Sequence, residues 1–244
     1  MHRFAPILLL AGALVACAKQ PPRPGAALPT APDDRLAAVR AGEERIQSLR
    51  ARFTSTTHLP DGERSVDGVL LVAKPDRFRL RLMLPLGITV FDFLSVGEQT
   101  WIVLPLGDER RRDADDAFAA FSRDDLGAAF LRGAYAFPGT CSASAGGADE
   151  VLVDCVADAA SHRTIRIDRA GITEETSYAN DTPRLRIRYA DYRDVSGVSV
   201  PFHITLEYPQ RRQSVDIAID AYEVNPVLSA TAFAPPPDTP PRRS

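Results

Sequence analysis

The chain has 244 residues, of which 45% are hydrophobic and 25% charged, with 29 basic and 32 acidic side chains. This composition is that of a globular protein, and it excludes collagen-like, disordered and multi-span membrane proteins. The formal net charge of -3 argues against a general nucleic-acid-binding protein, which would need a basic face. The length suits one all-β domain or two small domains.

The first 17 residues, MHRFAPILLLAGALVAC, have the pattern of a secretory signal. An apolar run from Ile7 to Ala16 is too short to span a bilayer and has no stop-transfer flank. The stretch Leu14-Val15-Ala16-Cys17 resembles the bacterial lipobox, in which the cysteine is lipidated and becomes the first mature residue. The alternative is an ordinary cleaved signal with an incidental cysteine. We therefore predict a signal peptide over residues 1–16 and a lipid anchor on Cys17.

Residues 17–34 are rich in proline and have neither a helical nor a strand pattern, so we predict a flexible tether that follows the lipidated cysteine. Several acyl chains, at about 0.8 kcal/mol per buried methylene, would make the anchoring effectively permanent. In Gram-negative lipoproteins, an aspartate after the cysteine commonly signals retention in the inner membrane. Ala18 occupies that position here. The rule therefore predicts the outer membrane, with the folded domain on its periplasmic side.

From Asp33 the sequence has a helical pattern, and we predict one long helix whose apolar residues share a face. Those residues are Leu36, Val39, Ile46, Leu49 and Phe53. Alternating patterns then predict strands over residues 66–72 and 77–84, and denser apolar runs predict strands over 88–96 and 100–104. A charged break follows at residues 107–117, and a helix is predicted over 123–132, with Gly133 as its stop signal.

Cys141 and Cys155 flank a segment that has Gly146-Gly147 near its midpoint. Two strands folded back at that turn would place the thiols opposite each other, and the periplasm is oxidising. We favour a disulfide, and the alternative is two free buried thiols. Because the sequence has no CxxC spacing, a zinc ribbon and a thioredoxin motif are excluded.

Six further strands are predicted in the second half, separated by turn residues. They cover residues 150–157, 162–168, 172–178, 184–192, 200–208 and 213–222. A proline-rich tail over residues 234–244 is predicted to be disordered. About ten strands with few helices indicate a single antiparallel sheet, which must curl because one of its faces is apolar.

No pattern in the sequence points to catalysis. HExxH, GxSxG, P-loop and GxGxxG motifs are absent, and the four histidines are scattered. Asp113, Asp115 and Asp116 lack the glycine and glutamate of a calcium-binding EF-hand, so we interpret them as a solvated loop. The run Arg110–Arg112 could contact headgroups or an acidic partner, but such runs are usually exposed loops. We predict no enzyme, no catalytic residue, no metal and no cofactor.

The segment Met83-Leu84-Pro85-Leu86-Gly87-Ile88 lies between two amphipathic strands. A tight Pro-x-Gly connection normally has a polar residue at its tip, because turns face water. Here the tip is Leu86. Either the turn is tucked under a neighbouring element, or it is an exposed apolar tip that enters a membrane or contacts an acyl chain.

The run Arg77 to Leu82, followed by Pro85-Leu86-Gly87 and an apolar strand, resembles LolB, the outer-membrane lipoprotein receptor of the LolA/LolB family. The resemblance covers roughly residues 35–225, and we assign residues 35–233 as one LolA/LolB-like domain. It implies an α+β, mainly antiparallel fold: a strongly curved, unclosed β-barrel with helices as a lid over an apolar cavity. In LolB a leucine projects from the matching loop and contributes to cargo delivery, and Leu86 has that position here.

The resemblance implies a monomer that accepts acylated lipoproteins from a periplasmic LolA-type carrier and inserts them into outer-membrane lipid. The alternatives are a sensor or holder that binds a lipid or lipoprotein without transfer, and a structural lipoprotein with a closed core. Alternation along the strands cannot say which face is concave, and each residue chosen as cavity lining could equally be ordinary core. The candidates for the lining are Phe78, Leu80, Leu82, Val90 and Phe93.

Overall fold

The computed structural model describes residues 24–60, 62–105, 129–130, 140–147, 149–156, 161–237 and 240–243. The predicted signal peptide, Cys17 and the first part of the predicted tether lie outside these residues. The Arg110–Arg112 loop, the three aspartates after it and most of the predicted helix over 123–132 also lie outside them.

Helix α1 spans Pro32–Glu44. Proline suits the first helical turn because a backbone N–H at that position would have no partner within the helix. Asp33 and Asp34 stabilise the helix because their negative charges lie at the positive end of the helix dipole. The predicted continuation of this helix to Phe53 is wrong, because Ser48–Leu59 forms strand β1. Leu49 and Phe53 are four residues apart, a spacing that fits both a helical and a strand period. The run of Ser and Thr that follows Phe53 favours the strand.

The described residues form one antiparallel sheet, in the order β13-β5-β4-β3-β2-β1-β12-β11-β10-β9-β8-β7-β6. After β1 the strands are β2 Gly62–Ala73, β3 Arg77–Leu84, β4 Ile88–Val96, β5 Gln99–Val103, β6 Thr140–Ala145, β7 Val151–Val156, β8 Ser161–Ile167, β9 Ile172–Ala179, β10 Thr182–Val195, β11 Val198–Tyr208, β12 Gln213–Val224 and β13 Arg242–Arg243. Three short 3₁₀ turns cover Pro85–Gly87, Pro209–Arg211 and Ala230–Phe233. Strands β6 and β13 form the two ends of the order, so the sheet is unclosed. The prediction of an unclosed, mainly antiparallel sheet is confirmed.

Antiparallel pairing places successive turns at alternating ends of the sheet. We name the end with Pro85–Gly87 and Pro209–Arg211 the upper rim. The opposite end, the lower rim, contains the connections at residues 74–76, 146–150, 168–171 and 196–197. The β1–β12 pairing joins the first and last long strands near the middle of the sheet.

One face of the sheet is apolar, and we call it the inner face. Its side chains form a single core cluster that includes Phe93 of β4 and Val153 of β7, although β4 and β7 stand nine places apart in the strand order. A single cluster across that span requires the sheet to curl around it. The other face, the outer face, carries ion pairs between strands, such as Arg188 with Glu174 at 3.2 Å.

A second, smaller cluster lies on the outer face, where the segment after β12 folds back. Phe233 packs there with Trp101, Leu94 and Ala73. Buried Arg79 holds this segment by donating hydrogen bonds to the Ala232 carbonyl (2.9 Å) and, through Nε and Nη2, to the Asp92 carboxylate (2.9 and 2.7 Å). The outer face of β4 and β5 is therefore covered by the chain's own C-terminal segment.

Two segments that the sequence marks as disordered or flexible contact the domain. In the predicted tail, Arg242 and Arg243 pair with Thr100 and Gln99 of β5. In the predicted tether, residues 24–31 lie against the lower rim, and α1 begins at Pro32, inside the range assigned to the tether.

Candidate functional site

The turn between β3 and β4 presents apolar side chains to solvent, of which Leu86 is the most exposed. Leu86 is 99% exposed, and Ile88 at the start of β4 is half exposed. Leu86 has φ 70° and Gly87 has φ 74°, so two successive residues take the left-handed conformation. Gly87 adopts the left-handed conformation at no steric cost, whereas Leu86 is strained in it. Of the two interpretations of this turn, the structure favours the exposed tip.

The five predicted lining residues come together at the inner face. Phe78, Leu80, Leu82 and Phe93 are 2 to 5% exposed, and the Phe78 and Phe93 rings meet edge to face at 5.8 Å. Val90 is partly buried and packs against the same cluster, beside the irregular pairing of β3 with β4. Their close packing is that of a core, and an open cavity along them stays a prediction.

A close contact between a glycine and a ring fills the middle of the inner face. The Phe53 ring lies on Gly68 of the neighbouring strand, where an added Cβ would stand 2.1 Å from Phe53 Cζ. Phe130, which is buried and helical like its neighbour Ala129, packs against Phe53 with ring centroids 5.5 Å apart and ring planes tilted by 40°. These two residues are the described part of the predicted helix over 123–132, and a lid of helices stays a prediction. No local signal in the sequence marks Gly68.

The inner face also carries one ion pair among its apolar residues. Arg163 of β8 contacts Glu175 of β9 at 2.7 Å, with side chains 14% and 2% exposed. Removing two charges from water is unfavourable unless they pair closely, which this geometry achieves. The ion pair between β8 and β9 therefore places two opposite charges on the mainly apolar inner face.

Beside this ion pair, Cys141 and Cys155 form a disulfide, with their Cα atoms 4.1 Å apart. The two residues lie directly opposite each other in β6 and β7, and Cys155 lies opposite Arg163 in β8. The bridge therefore ties the edge strand of the sheet to its neighbour, on the inner face.

Two clefts lie at the rims, and neither is lined by the five candidate residues. A cleft of about 280 Å³ at the lower rim is bounded by residues 26–29, α1 and Tyr192. A more open cleft of about 550 Å³ at the upper rim is bounded by His58, Tyr208 and Pro209. The first cleft shows that the segment before α1 does not pack tightly on the sheet.

A polar network on the outer face surrounds His58. The ring contacts Asp216 (2.8 Å) and Glu63 (3.0 Å), and these hydrogen bonds raise the pKa of His58 above its usual value. Burial opposes ionisation of Asp216, but hydrogen bonds from Thr205 and His58 hold the pKa of that carboxyl below its usual value. Among the described residues, no cluster of His, Cys, Asp or Glu could hold a metal ion.

Two buried arginines have structural roles that the patterns in the sequence do not predict. Arg35 is 1% exposed and donates to the carbonyls of Pro29 (2.6 Å), Thr30 (3.4 Å), Asp149 (2.6 Å) and Ile167 (3.3 Å). The second is Arg79, described above. Arg35 lies in the first turn of a helix, where an acidic residue is favoured over a basic one. That unusual position is the one feature of the sequence that points to a special role for Arg35.

No protein-family model matches the sequence, and no curated protein matches it. Solved structures match over most of their length. A DUF1329 family protein from Desulfovibrio piger has a TM-score of 0.62 at 12% identity, covering 82% of this chain and 94% of that one. A domain from Vibrio parahaemolyticus named for outer membrane lipoprotein sorting has a TM-score of 0.59 at 12% identity, with 81% and 94% covered.

A LolA superfamily protein from Nitrosomonas europaea has a TM-score of 0.58 at 12% identity, covering 82% of this chain and 97% of that one. The chain has a LolA-like fold. At this identity the likeness concerns the fold alone. No helix in the described ranges is long and apolar enough to cross a membrane.

Proposed function

We propose that this LolA-like domain binds the acyl chains of lipoproteins, accepts such cargo from a periplasmic LolA-type carrier and inserts it into the outer membrane. The proposal includes a signal peptide over residues 1–16, a lipid anchor on Cys17, a monomer on the periplasmic face of the outer membrane and no enzymatic step. The names of two structural neighbours, which refer to lipoprotein sorting and to LolA, agree with it. The single observation that carries it is the exposed Leu86.

Leu86 is unfavourable in water for two independent reasons. Its left-handed backbone costs roughly 1–2 kcal/mol in a residue with a Cβ, and its exposed side chain forgoes the roughly 1.5–3 kcal/mol that burial of a leucine provides. Insertion into hydrocarbon recovers the second amount. Cargo would then move by differential affinity, with acyl chains leaving water for the inner face and the inner face for the bilayer.

The test compares Leu86→Glu with Val227→Glu. Val227 is also an exposed aliphatic residue, at 98%, but it follows β12 at the lower rim. Each soluble variant, lacking residues 1–17, is incubated with a carrier that holds an acylated lipoprotein, and liposomes are then added. We expect both variants to fold and to take up cargo, and only Leu86→Glu to lose delivery. Equal delivery by the two variants, or a wild-type domain that takes no cargo, contradicts the proposal.

A second function, holding a lipid or lipoprotein without delivery, is favoured by the close packing of the inner face. Leu80 and Phe93 are only 3 and 5% exposed, and Phe130 packs against Phe53, so a ligand has to displace packed side chains to bind and to leave. Slow release is typical of a holder or a sensor. Cargo that moves onto the domain and stays there in the presence of liposomes selects this function.

A further inference from the structure

The exposed tip and the segment that leads to the predicted lipid anchor lie at opposite ends of the sheet. Leu86 is on the upper rim, between β3 and β4. Pro24 pairs with Arg193 near the lower end of β10, and the Leu28 amide donates to the Arg169 carbonyl (2.7 Å) in a lower-rim turn. We propose that residues 24–31, the strap, detach from the lower rim to let the tip reach the membrane that holds Cys17. This inference rests on the proposed function.

The strap is held at a few points. None of its residues is buried, and only Gly25 and Leu28 are partly covered. Arg35, from the first turn of α1, binds the carbonyls of Pro29 and Thr30. The cleft of about 280 Å³ lies between the strap, α1 and Tyr192. A segment with few buried contacts opens at low free energy compared with a core strand.

Chain lengths give the reason for release. From Cys17 to Pro24 the chain can span at most about 25 Å, at roughly 3.5 Å per residue. Strand β10 runs about 36 Å from Thr182 at the upper rim to Arg193, at about 3.3 Å per residue. A strand tilt near 40° reduces this to a height of about 28 Å. With the strap docked, the spacer is therefore no longer than the sheet is high along β10, so the strap limits how far an upright domain can extend its tip toward the membrane.

Release of the strap lengthens the chain between Cys17 and the domain without altering the fold of the domain. The chain from Cys17 to Pro32 spans up to about 50 Å, well beyond the height of the sheet. Arg35 would remain on the domain, with Asp149 and Ile167 as partners. The docked strap therefore keeps the lower rim near the membrane, and the released strap lets the domain turn its upper rim toward it.

A disulfide can lock the strap. A Cβ at Gly25 would lie 3.1 Å from Ser199 Cβ, so a small shift gives the spacing of about 3.8 Å that a disulfide needs. The lock is Gly25→Cys with Ser199→Cys, and Gly25→Cys alone controls for the contact with Ser199. Leu86→Trp reports tip insertion through quenching by brominated lipids. Quenching of the buried Trp101 is measured separately in the chain that keeps Leu86 and is subtracted as background.

The lipid-anchored chain is placed in vesicles that contain brominated lipids, and quenching is compared before and after a reductant opens the lock. We expect quenching to be about tenfold lower with the lock closed, because the effective concentration of the tip at the membrane falls. A soluble chain lacking residues 1–17 should insert its tip equally with the lock open or closed. The unlocked chain with and without reductant controls for reduction of Cys141–Cys155.

Equal quenching of the anchored chain with the lock closed and open overturns the inference, as does an equal loss in the soluble chain. No quenching in the unlocked anchored chain also overturns it, because release then does not bring the tip to the membrane. If quenching depends on the lock but no lipoprotein is delivered, the proposed function fails and the strap inference stands.

Discussion

Replacing Leu86 by asparagine should stabilise the domain and abolish delivery. Leu86 has φ 70° and is 99% exposed, so the substitution removes no packing in the folded state. Asparagine adopts the left-handed conformation readily, whereas a residue with an ordinary side chain pays roughly 1–2 kcal/mol. We expect a gain of about 1 kcal/mol in the free energy of unfolding, which for a chain of this size raises Tm by about 2–4 °C.

Two variants separate strain from side-chain chemistry. Leu86→Ala keeps the strained backbone and shortens the side chain, so its stability should stay near that of the wild type while delivery is lost. Arg212 is an exposed left-handed residue (φ 52°) at the β11–β12 turn on the same rim. Arg212→Asn should therefore stabilise the chain and leave delivery unchanged.

The assays are urea unfolding of the soluble domain and transfer of an acylated lipoprotein from the domain to liposomes. A Leu86→Asn variant that is less stable than the wild type refutes the strain argument. A variant that is more stable and delivers normally refutes the role of the tip, since the side chain is then dispensable. Stability and delivery moving in opposite directions would show that the tip is kept for function at the expense of stability.

Three further predictions concern the sheet. Gly68→Ala should destabilise the domain by about 1–3 kcal/mol, because its Cβ would overlap the Phe53 ring; Phe53→Leu in the same chain should recover part of the loss in a double-mutant cycle. Replacing Cys141 and Cys155 by alanine should cost about 3 kcal/mol in urea unfolding through the larger entropy of the unfolded chain, and a reductant should cost the wild type the same amount and leave the variant unaffected. His58 has a raised pKa in the folded state, so its contribution to stability is full below about pH 6.5 and is lost as the pH rises through the folded pKa. The free energy of unfolding, measured against pH, should show this loss in the wild type and not in His58→Gln. Equal pH profiles of the two proteins would contradict the prediction.

Strands were predictable from the sequence where one side chain in two is apolar and no helical spacing competes with that pattern. The pattern around Leu80 and Leu82 predicts a half-buried strand, and β3 follows it closely. The same reasoning was wrong between Ile46 and Phe53, because apolar spacings of three and four match a helix as well as β1. The pairing of β1 with β2 and β12 makes this segment a strand, and local periodicity gives no information about that pairing.

The candidate site divides in the same way. A local signal, an apolar residue at the tip of a Pro-x-Gly turn, marks Leu86 in the sequence, but only the structure decides between an exposed and a tucked turn. The contact between Phe53 and Gly68 joins neighbouring strands, and Arg35 reaches a carbonyl at Ile167, 132 residues away. Nothing in the residues around Arg35 or Gly68 encodes those partners. Long-range contacts of this kind decide which segments cover the inner face and the lower rim.

The packed inner face and the proposed acyl ligand are compatible if the ligand displaces Phe130. Truncating a buried phenylalanine costs about 3–5 kcal/mol, whereas burying a chain of about 14 methylenes provides about 11 kcal/mol at 0.8 each. Phe130→Ala should therefore destabilise the empty domain and bind a fluorescent fatty acid more tightly than the wild type. Phe233 is equally buried, at 5% against 4% exposure, but lies in the outer cluster. Phe233→Ala should lose similar stability with no change in affinity, and an equal response of the two variants would place the ligand away from Phe130.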